Sequence, residues 1–163
     1  GSSLGISRVN EIEELDAAVE LAKSTLCESI IIEELLEGPE YSIGILPGMD
    51  GEPEAMPITE IISENDFFDY NAKYEGASKE ITPADLSSTN VQAMQEAGLK
   101  AYEFLECKGM VRIDFILINE KVPAILEINS VPGFSKMSIL PQQLECAGIT
   151  ICDALTRVLK SVD

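Results

Sequence analysis

Two stretches of alternating side chains, Met110 to Ile118 and Val122 to Asn129, are separated only by Asn119-Glu120-Lys121. Alternation puts successive side chains on opposite faces of a strand, and so short a link lets the two strands pair. A chain with such a hairpin must build a sheet that has one apolar and one polar face. In Val111-Arg112-Ile113-Asp114-Phe115 the polar face carries Arg112 and Asp114. In Leu126-Glu127-Ile128-Asn129 it carries Glu127 and Asn129, with Leu126 and Ile128 opposite. One register gathers all four, giving three hard oxygen donors and one guanidinium. Carboxylates and an amide suit Mg2+, which completes its shell with water and substrate phosphates. The same alternation is what any half-exposed hairpin shows, so a solvated face with incidental ion pairs explains the pattern equally well.

The rest of the chain frames this hairpin. Residues 10–24 repeat Ile12, Leu15, Val19 and Ala22 at helical spacing, with Asn10 expected as N-cap. Ser29 to Glu34 reads as a short apolar strand, broken by Gly38-Pro39. Glu40 to Leu46 reads as another strand, turned by Met49-Asp50-Gly51-Glu52 into Ala55 to Ile62. Residues 63–82 are polar, aromatic and too long for an ordinary connection. Pro83 and Ser87-Ser88-Thr89 open a helix to about Cys107, with Val91, Met94, Ala97, Leu99, Ala101 and Leu105 available for its buried face. Helices follow at about 138–147, stopped by Gly148, and 150–161. The order predicts an α+β fold with mostly antiparallel pairing.

Composition removes several classes of function. With 163 residues, 45% of them hydrophobic, the chain makes one domain of ordinary size or pieces of two small ones. The 29 acidic and 11 basic residues leave a net charge of -18, which argues against the basic face that general binding of nucleic acid or an anionic membrane needs. There is no histidine, which excludes Ser-His and Cys-His nucleophile pairs and His-ligated metals. Cys27, Cys107, Cys146 and Cys152 form no CxxC pair and are expected to be reduced, mostly buried thiols of a cytosolic protein. No apolar run reaches the length of a membrane span. Gly1-Ser2-Ser3 lacks a methionine and a signal-peptide core, so the chain is expected to start inside a longer protein or after a cloning scar.

After the hairpin, Ser130-Val131-Pro132-Gly133-Phe134-Ser135 makes a sharp loop that leads through Ser138 into a helix. Backbone amides at a glycine turn near a helix start can stabilise an oxyanion. Taken together, Arg112-Ile113-Asp114, Leu126-Glu127-Ile128-Asn129-Ser130, Pro132-Gly133 and Ser138 resemble the C-terminal signature of D-alanine–D-alanine ligases of the ATP-grasp superfamily. Gly1-Ser2-Ser3-Leu4-Gly5, Glu33 to Glu40 and Tyr70-Asn71-Ala72-Lys73-Tyr74 agree in order and spacing. The resemblance covers essentially the whole chain.

It implies an ATP-grasp C-terminal subdomain over 38–163, a remnant of the central subdomain over 1–37, and an N-terminal domain absent from the chain. Asp114, Glu127 and Asn129 would ligate two Mg2+ ions, with Mn2+ as a substitute, that bridge the phosphates of ATP. Glu33, Leu36 and Glu40 would contact the nucleotide, with Glu40 toward the ribose. Phe67 and Leu126 would flank the adenine. Ser2 and Ser3 would close over phosphates and substrate, and Lys73 and Tyr74 would lie in the loop covering the site. Arg112 and the Gly133 amide would form the oxyanion hole, while Ser138 and Ile139 would hold the second D-alanine.

The implied reaction is ATP-dependent ligation of two D-alanines through an acyl phosphate, for peptidoglycan synthesis. The implied setting is a cytoplasmic, homodimeric enzyme with small-molecule partners and neither nucleic acid nor membrane. The isolated chain is expected to be inactive. Lys73-Tyr74 favours the dipeptide product. A related ligase with another substrate, and a non-catalytic nucleotide-binding remnant, are the alternatives.

Overall fold

The computed structural model describes residues 4–25, 27–63 and 78–161. By internal contacts the chain divides into two units, Gly1–Leu36 with Ser63–Lys79, and Glu37–Ile62 with Glu80–Asp163.

The first unit holds a 3-10 turn, Ile12–Glu14, that runs into helix α1, Leu15–Ser24. Asn10 is not the cap. Its side chain accepts from Arg8 Nε at 2.9 Å, and the Glu14 carboxylate instead takes the backbone N–H groups of Asn10 and Glu11, at 2.8 and 3.4 Å. Leu15, Val19 and Ala22 make a half-buried stripe as expected, whereas Ile12 is exposed. The strand expected over Ser29–Glu34 does not form. A strand is stable only in a ladder, no described segment pairs with this one, and Ile31 and Ile32 are exposed.

The second unit is built on a sheet of strands β1 (Glu40–Pro47), β2 (Pro53–Ala55), β3 (Thr59–Ser63), β4 (Ser78–Ile81), β5 (Val111–Ile118) and β6 (Val122–Asn129). Their order is β4-β3-β1-β5-β6, with β2 also on β1. The β1–β2, β1–β3, β1–β5 and β5–β6 pairs are all antiparallel. The single strand expected over Ala55–Ile62 is therefore two strands, interrupted at Met56-Pro57-Ile58.

Helix α2, Ser88–Phe104, covers one face, where Met94, Gly98 and Tyr102 meet Tyr41, Ile43, Ile45, Val111, Ile113, Phe115 and Leu117. Ser87 caps it by accepting from the Asn90 N–H at 3.2 Å. The helix stops three residues before the expected end, because the chain turns left-handed at Glu106 (φ 51°) and Cys107 N–H reaches back to the Tyr102 carbonyl at 2.9 Å. Leu105 is thereby left exposed instead of buried.

On the opposite face Leu46 and Met56 pack with helices α3 (Ile139–Cys146) and α4 (Ile151–Ser161) through Leu140, Leu144 and Ala154. The four cysteines are unpaired, but three of them are exposed, contrary to expectation. Cys146 and Cys152 fall off the faces that Leu140, Leu144 and Ala154 bury. Among the described residues no helix is long and apolar enough to cross a membrane.

Candidate active site

The register of the central hairpin decides what its polar face can do. Arg112 stands opposite Asn129 and Asp114 opposite Glu127, while on the other side of β5 Ser42 pairs with Asp114 and Gly44 with Arg112. The four residues singled out from alternation are thus brought together, and β1 adds Ser42. Asp114 is the hub. Its Oδ1 accepts from Ser42 Oγ at 2.6 Å and from Arg112 Nε at 2.9 Å; its Oδ2 accepts from Arg112 Nη2 at 2.7 Å and Asn129 Nδ2 at 3.4 Å. Glu127 Oε1 accepts from Asn129 Nδ2 at 3.1 Å and lies 3.7 Å from Arg112 Nη2. The Asp114 side chain is 14% exposed and that of Glu127 53%, so one carboxylate is anchored in the sheet and the other faces outward.

Burial lowers the affinity of the Arg112 guanidinium for its proton. The hydrogen bonds and charge of Asp114, with the charges of Glu127 and Glu80, outweigh that and raise its pKa above the ordinary value. Arg112 is a permanent cation held among acids.

A bulge in β6 corrects one expectation. Asp114 pairs with Glu127 but Phe115 pairs with Ile125, which leaves Leu126 as the extra residue. Ile128 packs into the core and Ile125 lies beside Ala97 and Phe104 of α2, three positions apart instead of the two of regular alternation. The alternation is reset there, so Leu126 is 45% exposed beside Glu127 instead of sharing the core face with Ile128.

Beyond β6 the loop folds back on the start of α3. Ser138 Oγ accepts from the Ser135 N–H at 3.1 Å and bonds Ser135 Oγ at 2.9 Å. A Cβ on Gly133 would stand 3.0 Å from Ser138 Oγ, so glycine is what permits this approach. Ser138 occupies the N-cap position without a side-chain bond to the helix amides. The Ile139 side chain is buried, which leaves its backbone N–H in the first turn as what it offers a ligand.

Glu40 is two residues along β1 from Ser42, on the same face. Glu33 (exposed) and Leu36 (half-buried) lie in the first unit. Ser2, Ser3, Phe67, Lys73 and Tyr74 lie outside the described residues.

Among the described residues no cluster holds three or more His, Cys, Asp or Glu side chains placed for a metal. The donor set here is two carboxylates and an amide oxygen, which fits a hard cation that takes its remaining ligands from phosphate and water. Sequence reading missed Ser42, because only the long-range pairing of β1 with β5 brings its hydroxyl to Asp114. It also missed Gln143, buried beneath α3.

A sheet whose polar face holds an Arg–carboxylate–amide cluster, flanked by a glycine loop and a helix start, is the architecture of ATP-grasp ligases. Solved structures match it. The D-alanine–D-alanine ligase of Bacillus anthracis complexed with ATP is 27% identical, with a TM-score of 0.76 over 94% of this chain and 48% of that one. The VanG D-Ala:D-Ser ligase of Enterococcus faecalis is 32% identical, with a TM-score of 0.81 over 100% of this chain and 47% of that one. The family model described as D-ala D-ala ligase C-terminus matches residues 1–160, and the chain belongs to that family. The D-alanine–D-alanine ligase of Flavobacterium johnsoniae is 46% identical over 160 residues, 98% of this chain and 49% of the relative. The chain spans about half the length of the curated relatives it matches.

Proposed function

We propose that this chain is the nucleotide-binding, oxyanion-stabilising C-terminal part of an ADP-forming ligase that joins two D-alanines, for peptidoglycan precursor synthesis in the cytoplasm. The observation that carries this is the convergence of Arg112, Asp114, Glu127 and Asn129 on one sheet face, next to the Gly133–Ser138 loop. In this reading 1–37 completes a central subdomain and 38–163 is the C-terminal one. Exposed Leu4, Ile6, Ile31 and Ile32 in the first unit, and its unladdered apolar run, accord with that assignment.

Asp114, Glu127 and Asn129 would hold Mg2+, or Mn2+ in its place. When bound, the ions neutralise phosphate charge as the γ-phosphoryl group moves to the carboxylate of the first D-alanine. The amine of the second D-alanine then attacks the acyl phosphate, and phosphate leaves. Arg112, a permanent donor, faces the charge that develops on the carbonyl oxygen, with the Gly133 N–H as its counterpart. The helix start at Ser138–Ile139 offers its hydroxyl and amide to the carboxylate of the acceptor. Glu33, Leu36, Glu40, Phe67 and Leu126 would seat the nucleotide, and Ser2, Ser3, Lys73 and Tyr74 would close over it. A homodimer of the full-length enzyme is part of the same reading.

The acceptor has one competing assignment, because a D-Ala:D-Ser ligase shares the fold at a TM-score of 0.81. The 46% identity to a curated D-alanine–D-alanine ligase favours D-alanine. The test is to incubate the full-length protein with ATP, Mg2+ and D-alanine, with and without D-serine. The expected result is D-alanyl-D-alanine with one phosphate released per dipeptide. No dipeptide above an ATP-free control would overturn the ligase reading, and preference for D-serine would overturn the acceptor.

A further inference from the structure

Gln143 is fully buried, yet it is as polar as an uncharged side chain can be. Its Oε1 accepts from the Gly44 N–H at 2.9 Å, and its Nε2 donates to the Ser42 carbonyl at 2.9 Å and to Thr59 Oγ1 at 3.0 Å. An N–H can only donate and a carbonyl can only accept, so these partners fix which way the amide points. Thr59 Oγ1 is in turn 2.6 Å from Thr82 Oγ1.

The need for this amide lies in the interruption between β2 and β3. The Gly44 carbonyl is met there by Met56 N–H at 2.8 Å, but the Gly44 N–H and the Ser42 carbonyl are met by the side chain of Gln143. The amide takes the place of a missing stretch of strand. Gly44 makes the approach possible. A Cβ there would collide with Leu140 Cδ1 and stand 2.7 Å from Gln143 Oε1.

The same two residues of β1 pair with the chemistry-bearing residues of β5, Ser42 with Asp114 and Gly44 with Arg112. Ser42 therefore faces two ways: its carbonyl holds α3 through Gln143, and its hydroxyl holds Asp114. Leu140 and Leu144 also pack α3 on the sheet, but apolar contacts tolerate sliding, whereas a fully bonded buried amide admits one arrangement. Next to it, Gln142 Nε2 donates to Glu80 Oε2 at 2.6 Å and to the Met137 carbonyl at 3.1 Å, which ties down the residue just before Ser138.

We propose that Gln143 is a positioning residue: its amide registers the first turn of α3, with Ser138 and Ile139, against the β1 segment that holds Asp114 and Arg112. Resting on the ligase reading above, it sets the distance between the acceptor and the acyl phosphate, and so governs acceptor binding more than ATP binding.

The test uses the full-length protein with Gln143→Leu, and with Thr59→Val as the milder change that removes a single partner and leaves the amide in place. In Gln143→Leu the acceptor KM is expected to rise roughly ten- to a hundred-fold, as displacement of a bound group by about an ångström does. Thr59→Val shifts it in the same direction by less, and the KM for ATP stays within about two-fold in both. A purely structural role lowers the melting temperature and leaves both KM values where they were. Hydrogen exchange on the same proteins gives a readout independent of activity: amides at 42–44 and those of Ser138 and Gln142 lose protection while those of α2 keep it. Unchanged acceptor KM and unchanged exchange at Ser138 and Gln142 in both variants would overturn the proposal. Should wild type make no dipeptide, the ligase reading fails on its own, and the exchange data still decide what Gln143 holds.

Discussion

Arg112 grips Asp114 through both arms of its fork, Nε on Oδ1 at 2.9 Å and Nη2 on Oδ2 at 2.7 Å. Both side chains are largely buried, 23% and 14% exposed, so solvent screens this pair less than a surface bridge. In the proposed ligase the carboxylate that restrains the guanidinium would also hold a cation, which would then compete with Arg112 for the same oxygens.

Removing the guanidinium should separate chemistry from binding. An oxyanion donor is worth about 2.7–4 kcal/mol in the transition state, so Arg112→Ala in the full-length enzyme is expected to lower kcat by roughly 10²–10³ with little change in ATP affinity. Arg112→Lys should not restore it, because a single ammonium cannot reproduce the two-armed geometry. Steady-state kinetics with ATP and D-alanine varied separately is the measurement. Unchanged turnover in Arg112→Ala would remove this residue from the site.

The cation requirement should follow the donor set. Chelation of divalent ions is expected to abolish phosphate release. Asp114→Asn and Glu127→Gln should each raise the Mg2+ concentration for half-activation by at least roughly ten-fold. Ser42→Ala strips Asp114 of its 2.6 Å donor and should act in the same direction. A Mg2+ titration of activity on the three variants checks this, and superimposable curves would count against the assignment of the ligands.

The pattern of the chain gave away the hairpin because that information is local. Alternation sets the face of β5 and puts Glu127 with Asn129, the three-residue link sets the register from Ile118–Val122 to Phe115–Ile125, and Asn119 and Glu120 adopt the positive φ values of a tight turn (50° and 56°). Past Leu126 the bulge shifts the register by one and pairs Asp114 with Glu127. What stayed hidden depends on distant partners. Ile30-Ile31-Ile32 reads as a strand by composition, yet strand formation is decided by an edge that the described residues do not supply. A period of two puts Leu126 on the face of Ile128, because a bulge is invisible to it. Ser42 and Gln143 are ordinary polar residues until the β1–β5 and β1–α3 contacts form. Sequence separations of 72 for Ser42–Asp114 and 101 for Ser42–Gln143 lie far beyond any local signal.

At Gly44 the side chains of α3 press directly on the sheet backbone, which makes it a test of the packing alone. Gly44→Ala introduces a methyl into space already filled by Leu140 and Gln143, so either the helix moves outward or the amide bonds break. Overpacking of this kind costs about 1–3 kcal/mol. A fall in the urea midpoint of that size is expected. Gly51→Ala is a poor control, because its φ of 90° is itself strained for alanine, and Gly133→Ala touches the site. Ser87→Ala is a better comparison: it loses the cap of α2 on the opposite face, for about 1 kcal/mol. Equal stability of Gly44→Ala and wild type would mean that α3 is not held as described.

Stability should also decline at alkaline pH through two tyrosines. Burial raises the pKa of Tyr102, with the charge of Cys107 adding to it, and burial followed by the charges of Glu60 and Glu120 raises that of Tyr41. The Tyr102 hydroxyl also donates to the Gly109 carbonyl at 3.0 Å, a bond that ionisation would destroy. Both folded values lie above the unfolded 10.0, so the folded state binds these protons more tightly. Their contribution is fully present below that pH and is lost as pH rises through the folded values. Phenylalanine cannot ionise, so Tyr41→Phe with Tyr102→Phe should flatten the alkaline decline, while costing about 1 kcal/mol at neutral pH for the lost hydrogen bond. Urea midpoints followed from neutral to roughly pH 11 would reveal it, and identical slopes in wild type and the double variant would show that other groups drive the loss.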